Sequence, residues 1–393
     1  MARTGGERGW LLIGGLGIAL VARPMACDGG PGTGDPAVAK AVAATLADTW
    51  PQVVSPALAE AEEASRLLET ALVAWSSAED TDGDAEAARL AAQEAWRAAL
   101  GAWQQVEVMQ LGPLGSSLTA KGGLDLRDRV YAWPTVNACA VDQQTAREGW
   151  REDGFVEASL VNVTGYAALE TLLFSEPGVN ACPPQVDINA DGTWDGLGVD
   201  GVQAFRAAHA VRLSVGLRGA MAEARLAWEG GFADDFAAGE GPYDSPQDAL
   251  NAAFDALFYL ESMTKDAKLG EPLGLRDCGA DTCPVESPLA GASHTWIAAN
   301  LAGGRRLFTG GEGQGFDDLL AALDQEALAL EVLAAFDAAD AAAAAVTTPI
   351  DDPRQDAALA LHAALDDLGE LLKGDLATVL ALRVPTEAAG DND

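Results

Sequence analysis

Basic side chains are scarce in this sequence: 24 Lys and Arg stand against 60 Asp and Glu, a formal net charge of −36. That balance excludes a nucleic-acid backbone or an anionic lipid surface as a partner, since both would repel the chain. It suits a solvated acidic surface, or one that collects cations. Aromatics are only 6% and stretches alternating with period two are few, which argues against a sheet-rich fold. Histidine occurs three times and no two cysteines have CxxC spacing, so a zinc centre has little to build on. GxSxG, the P-loop, HExxH and a dinucleotide-type glycine turn are all missing.

Alanine and leucine dominate instead, and both favour helix. The chain is long enough for two helical layers with sizeable cores. The expected fold class is all-α, two antiparallel helical bundles with a cleft near their junction. The first bundle is expected over 36–185, a loop over 186–199 and the second bundle over 200–393. Helices are expected to about Trp75, with an interruption or kink near Pro51 and Pro56, and then at about 85–110 and 155–175. Further helices are expected near 200–229, 246–267, 287–309, 315–346 and 354–382. Ser245, Pro246 and Asp248 form a start signal, and Gly310 with Gly311 a stop.

The first residues, MARTGGERGWLLIGGLGIALVARPMAC, have the layout of an export signal. Arg3 and Arg8 precede an apolar core over residues 10–22, which is short for a bilayer span. Ala26 before Cys27 resembles a lipoprotein cleavage site, although Pro24 stands where an aliphatic residue is usual. Residues 1–26 are therefore expected to be a signal peptide and Cys27 a lipid-bearing first residue, followed by a flexible tether to residue 35. The cell envelope is the expected location, with membrane contact only through that anchor. Four cysteines remain, and three pairings of them are possible. The short loop GADT favours Cys278–Cys283, which leaves Cys139–Cys182.

Two stretches carry candidate chemistry. VNVTGYAALETLLF, residues 161–174, reads as a buried helix with Val163, Tyr166, Glu170 and Leu173 on one stripe. A carboxylate there needs a basic partner, hydrogen-bond donors or a polar cleft. In DINADGTWD, the residues Asp187, Asn189, Asp191, Gly192 and Asp195 have the spacing of a calcium loop. Position twelve is Gly198 rather than an acid, so a turn-rich loop without tight calcium is favoured. The histidines His209, His294 and His362 read as ordinary surface or core residues rather than ligands.

GYAALETLLF resembles the G-x-H-x-x-E segment of the imelysin-like family, exported bacterial proteins classed among candidate metallopeptidases and linked to iron uptake. AWRAALGAWQQVEVMQLGP resembles the family's Trp-rich helix and Gly-Pro turn, and RVYAWP its arginine and Trp-Pro segment. KLGEPLGL and VESPLAGASHTWIAANLAGGRRLFTG follow in the family's order, and LATVLALRVPTEAAGDND resembles its C-terminal end. The resemblance implies a cleft bordered by Gly165, Ala167, Glu170, Glu107, Arg129, Trp133, Glu286, Ser287 and Asn300. Ala167 stands at the histidine position, and alanine can neither bind metal nor polarise water.

The favoured expectation is thus a non-catalytic envelope lipoprotein that captures a small ligand or metal ion, with an iron-uptake system as partner. A metal-dependent peptidase using Glu170 is the alternative, and a surface scaffold with a degenerate cleft is a third. Iron or another divalent metal is the candidate cofactor near Glu170, and calcium at 187–195.

Overall fold

The computed structural model describes residues 36–81, 83–280, 283–350 and 354–384. The expected signal peptide, Cys27 and the tether lie outside them. Among the described residues every regular element is helical.

The chain opens with α1 (Pro36–Asp48), a π-helical turn at Thr49–Val54 and α2 (Ser55–Glu79). The π turn takes up the disturbance expected at Pro51, and Pro56 falls in the first turn of α2, where a missing N–H does no harm. Asp84 caps α3 (Ala85–Glu107) by accepting a hydrogen bond from the Ala87 amide. Three short helices follow: α4 (Leu126–Val130), α5 (Ala138–Ala146) and α6 (Phe155–Ala158). They precede α7 (Gly165–Phe174), α8 (Asp187–Ala190) and the long α9 (Thr193–Ala227). After α10 (Ala233–Ala238) comes α11 (Pro246–Leu257), capped by Ser245 as its sequence signal requires. A π-helical stretch, Leu260–Gly270, extends it. The remainder is α12 (Ser293–Thr309), α13 (Phe316–Ala321), α14 (Glu326–Ala345), α15 (Asp356–Leu371) and α16 (Ala377–Val379).

One bundle groups α2, α3, α7 and α9; the other groups α12, α14, α15 and the 260–270 stretch; α3 against α12 joins them. The helix α9, late in sequence, packs on α2 and α7, so chain order and bundle membership are interleaved. Trp75, Trp96, Trp103, Trp228 and Trp296 are fully buried, and Trp96 meets Trp296 edge-on across the seam at 5.9 Å.

Several expected boundaries move. The helix expected over 155–175 breaks at Thr164, which is extended, so Val163 lies outside the helix that carries Glu170. The helix expected from 287 begins at Ser293, and that expected over 315–346 is two helices parted at Asp324, which has positive φ. The loop expected over 186–199 is mostly helical, because Ile188 and Trp194 bury themselves with Cys182 in a small satellite core. The disulfides Cys139–Cys182 and Cys278–Cys283 both form.

Candidate functional site

Beside the Trp96–Trp296 contact, the seam between the bundles holds a cluster of buried polar side chains. Gln104 and Glu107 point from the last turns of α3 into it, and both are fully buried. Opposite them, α12 presents Asn300, whose Nδ2 donates to the Gln104 carbonyl and to its Oε1, each at 2.8 Å. The helices approach this closely because residue 303 is glycine: a Cβ there would sit 2.3 Å from the Gln105 carbonyl oxygen.

Lys268 stands at the centre with no exposed side-chain surface. Its Nζ lies 2.6 Å from Gln104 Oε1, 3.1 Å from Asn300 Oδ1, 3.2 Å from Glu107 Oε2 and 3.0 Å from Glu286 Oε1. Arg127 donates from Nε to Glu107 Oε1 at 2.9 Å, and Tyr131 from its hydroxyl to Glu286 Oε1 at 3.0 Å. Burial pushes Glu107 upward, but the Lys268 and Arg127 charges outweigh it and hold its carboxyl below the usual range. Burial wins at Glu286, which is raised although Lys268 opposes the shift. The result is a largely buried ionic network of two acids and two bases.

Glu170 lies near this network and does something different. Its Oε1 accepts from the backbone amides of Leu289 at 3.0 Å and Ala290 at 2.9 Å, so it fastens the segment that carries Glu286 and Ser287. Burial raises its carboxyl to about 7 against those two amides, and the Glu286 charge adds to the rise. The helix bearing it is seated by α3: Trp96 Nε1 donates to the Tyr166 carbonyl, while Arg89 and Gln93 both donate to the Leu173 carbonyl at its C-terminus. Gly165 opens that helix with φ +70°, and a Cβ there would lie 2.3 Å from the Val130 carbonyl oxygen. Gly165→Ala should therefore lower stability by about 1–3 kcal/mol in urea unfolding.

Of the residues that the sequence singles out, Glu107, Glu286 and Asn300 meet in the network. Trp133 joins through its carbonyl, which accepts from Arg127 Nη2 at 3.3 Å. Ser287 is buried and accepts from Trp296 Nε1 at 2.9 Å, a structural bond. Ala167 is buried as well. Arg129 is not at the seam: it is half exposed and pairs with Glu223 at 2.6 Å, while Arg127, two residues earlier, takes the inner place. Sequence reading also missed Lys268, Gln104 and Tyr131. The signal for Lys268 was there, since Leu260, Thr264 and Lys268 repeat every four residues on one buried face.

The 187–195 segment does not gather its oxygens around one point. Asp187 pairs with Arg147, Asn189 exchanges hydrogen bonds with Asn180, and Asp191 accepts from the Thr193 amide at 2.9 Å. Of the histidines, His209 is buried between Trp150 and Phe155 and burial pushes it down to about 3, while His294 is partly buried rather than exposed. Among the described residues no group of three or more His, Cys, Asp or Glu side chains is placed to hold a metal ion.

An open cleft of about 440 Å³ lies beside the network, and Arg127 and Tyr259 line it. The residues expected from the resemblance to border a cleft do not line this one, because they are buried at the seam or, for Arg129, paired elsewhere.

A two-bundle all-α protein with a buried ionic seam is the class these features define. The chain belongs to the Imelysin family (Peptidase_M75), whose profile matches residues 39–373. Its fold is similar to that of an imelysin-like protein from Psychrobacter arcticum 273-4, with a TM-score of 0.67 and 19% identity over 88% of this chain and 98% of the other. It is also similar to a protein described as an iron-regulated protein A precursor from Parabacteroides distasonis ATCC 8503, with a TM-score of 0.64 and 14% identity over 87% and 95%. No curated protein matches the chain.

Proposed function

We propose that this imelysin-family protein is a non-catalytic, lipid-anchored component of the cell envelope that binds a small ligand in a role tied to iron acquisition. The observation that carries the non-catalytic reading is the state of the family motif. Ala167 supplies no donor atom, and one oxygen of Glu170, Oε1, is engaged by two backbone amides. A peptidase metal of the family kind does not fit this donor set. The link to iron is supported by the family resemblance and by the description of one structural neighbour as iron-regulated. Export and anchoring are supported by the order of basic start, apolar core and Ala26–Cys27. Among the described residues no helix is long and apolar enough to cross a membrane.

The test is a peptidase assay on the mature protein with added zinc or ferrous iron, run beside Glu170→Gln. The expected result is no turnover above the blank for either protein. Metal-dependent hydrolysis by the wild type that disappears in Glu170→Gln would overturn the reading.

A further inference from the structure

We infer that the cleft beside Arg127 binds a small organic anion with an apolar body, the class of a monocarboxylate. The inference rests on the small-ligand reading above and names the site and chemistry that reading leaves open. The volume of about 440 Å³ is within the range of small-molecule sites. The walls come from five separated parts of the chain: the turn at 110–112, the 119–121 segment, Arg127 with Asp128, α11 with the stretch after it, and Arg383. Leu111, Ala252, Ala256, Phe258 and Met263 give the cleft an apolar lining that would accept a hydrocarbon or aromatic body.

The charged groups decide the sign of the head group. Three acids face the cleft, Asp128, Asp248 and Asp255, and each has at least one partner already. Asp128 Oδ1 accepts from Arg127 at 2.8 Å, and Asp255 has a partner of its own. Asp248 accepts from Arg383 at 3.0 Å on one oxygen, and from Lys121 and the Asp244 amide on the other. The bases are under-used. Arg383 has five N–H donors, of which one is hydrogen-bonded among the described residues, and its side chain is 74% exposed. The Lys121 ammonium has three donors and a single hydrogen-bonded carboxylate partner. Spare donors around occupied acceptors favour an acceptor-rich head. At Asp248 a cationic ligand would have to displace Lys121 or Arg383. The cleft lining also matches its three acids with three bases, Lys121, Arg127 and Arg383, in a chain that has 24 basic against 60 acidic residues.

Calorimetric titration of the purified protein with phenylacetate, phenethylamine and phenylacetamide tests this, since the three share one body and differ in the head. Phenylacetate should bind saturably and more tightly than the amide, with the amine weakest. Lys121→Gln combined with Arg383→Gln should weaken phenylacetate about tenfold, a modest factor because both cations are partly exposed. Ala252→Trp, which fills the cleft without changing charge, should abolish binding. Thermal unfolding of each variant confirms that it folds. Amine binding equal to or tighter than phenylacetate binding overturns the inference, as does unsaturated titration up to about 10 mM. Binding that survives Ala252→Trp in a folded protein overturns it too. The peptidase assay is independent of all these arms, so the inference can fail while the non-catalytic reading stands.

Discussion

Lys268→Met should destabilise the protein by about 3–5 kcal/mol near neutral pH, with a matching fall in the urea midpoint. The size follows from what the change leaves behind. Methionine fills nearly the same volume, so packing is largely kept and no large cavity opens. The ammonium is lost, however, while Glu107 and Glu286 remain fully buried within reach of where it stood. Glu107 keeps Arg127, but Glu286 is left with only the neutral donors Tyr131 and Gln104. A buried carboxylate without a counter-charge takes up a proton or unfolds the site, so the deficit should shrink as the pH is lowered towards 5. Arg66→Met, which breaks an exposed pair with Glu63, should leave the midpoint unchanged. A Lys268→Met midpoint as high as that of wild type at pH 7 would show that the seam tolerates its acids unpaired.

How much of this could be read from the sequence depended on how local the signal was. Ser245–Pro246 and Gly310–Gly311 are complete within a few residues, and α11 starts and α12 stops where they say. The apolar run through 155–175 misled, because its periodicity continues across a backbone that breaks. Ser159 and Leu160 are extended after α6, and Thr164 is extended before Gly165 turns into α7. The loop expected over 186–199 proved mostly helical for a related reason. Calcium-loop spacing says nothing of Ile188 and Trp194, whose burial against the Cys139–Cys182 disulfide decides the local conformation. Glu170 was visible because a carboxylate on an apolar face is conspicuous, whereas the seam acids Glu107 and Glu286 came only from the family resemblance. Their partners were not visible, since Lys268 is 161 residues from Glu107 and only the packing of the two bundles brings them together. Arg127 and Arg129 differ only in which side of a five-residue helix they occupy, and a pattern match cannot resolve that.

Glu170→Gln should be more stable than wild type at pH 8 by about 2–3 kcal/mol, and equal to it near pH 4.5. In the folded protein the carboxyl is raised to about 7 from its ordinary 4.5, chiefly by burial. Between those two values the folded state keeps a proton that the unfolded state has released. Stability from this group is therefore fully present below about 4.5 and is lost as the pH rises through about 7. Glutamine imitates the protonated acid at every pH: its oxygen can still accept from the Leu289 and Ala290 amides, and it carries no charge to bury. The variant should thus lack the downward slope that wild type shows across that window, while the titrations of the other groups cancel in the comparison. Urea unfolding of both proteins from pH 4.5 to 8 measures the difference directly. A variant that is instead less stable than wild type at pH 8 would mean that the two amides hold Glu170 ionised. That outcome would return a charged carboxylate to the family motif.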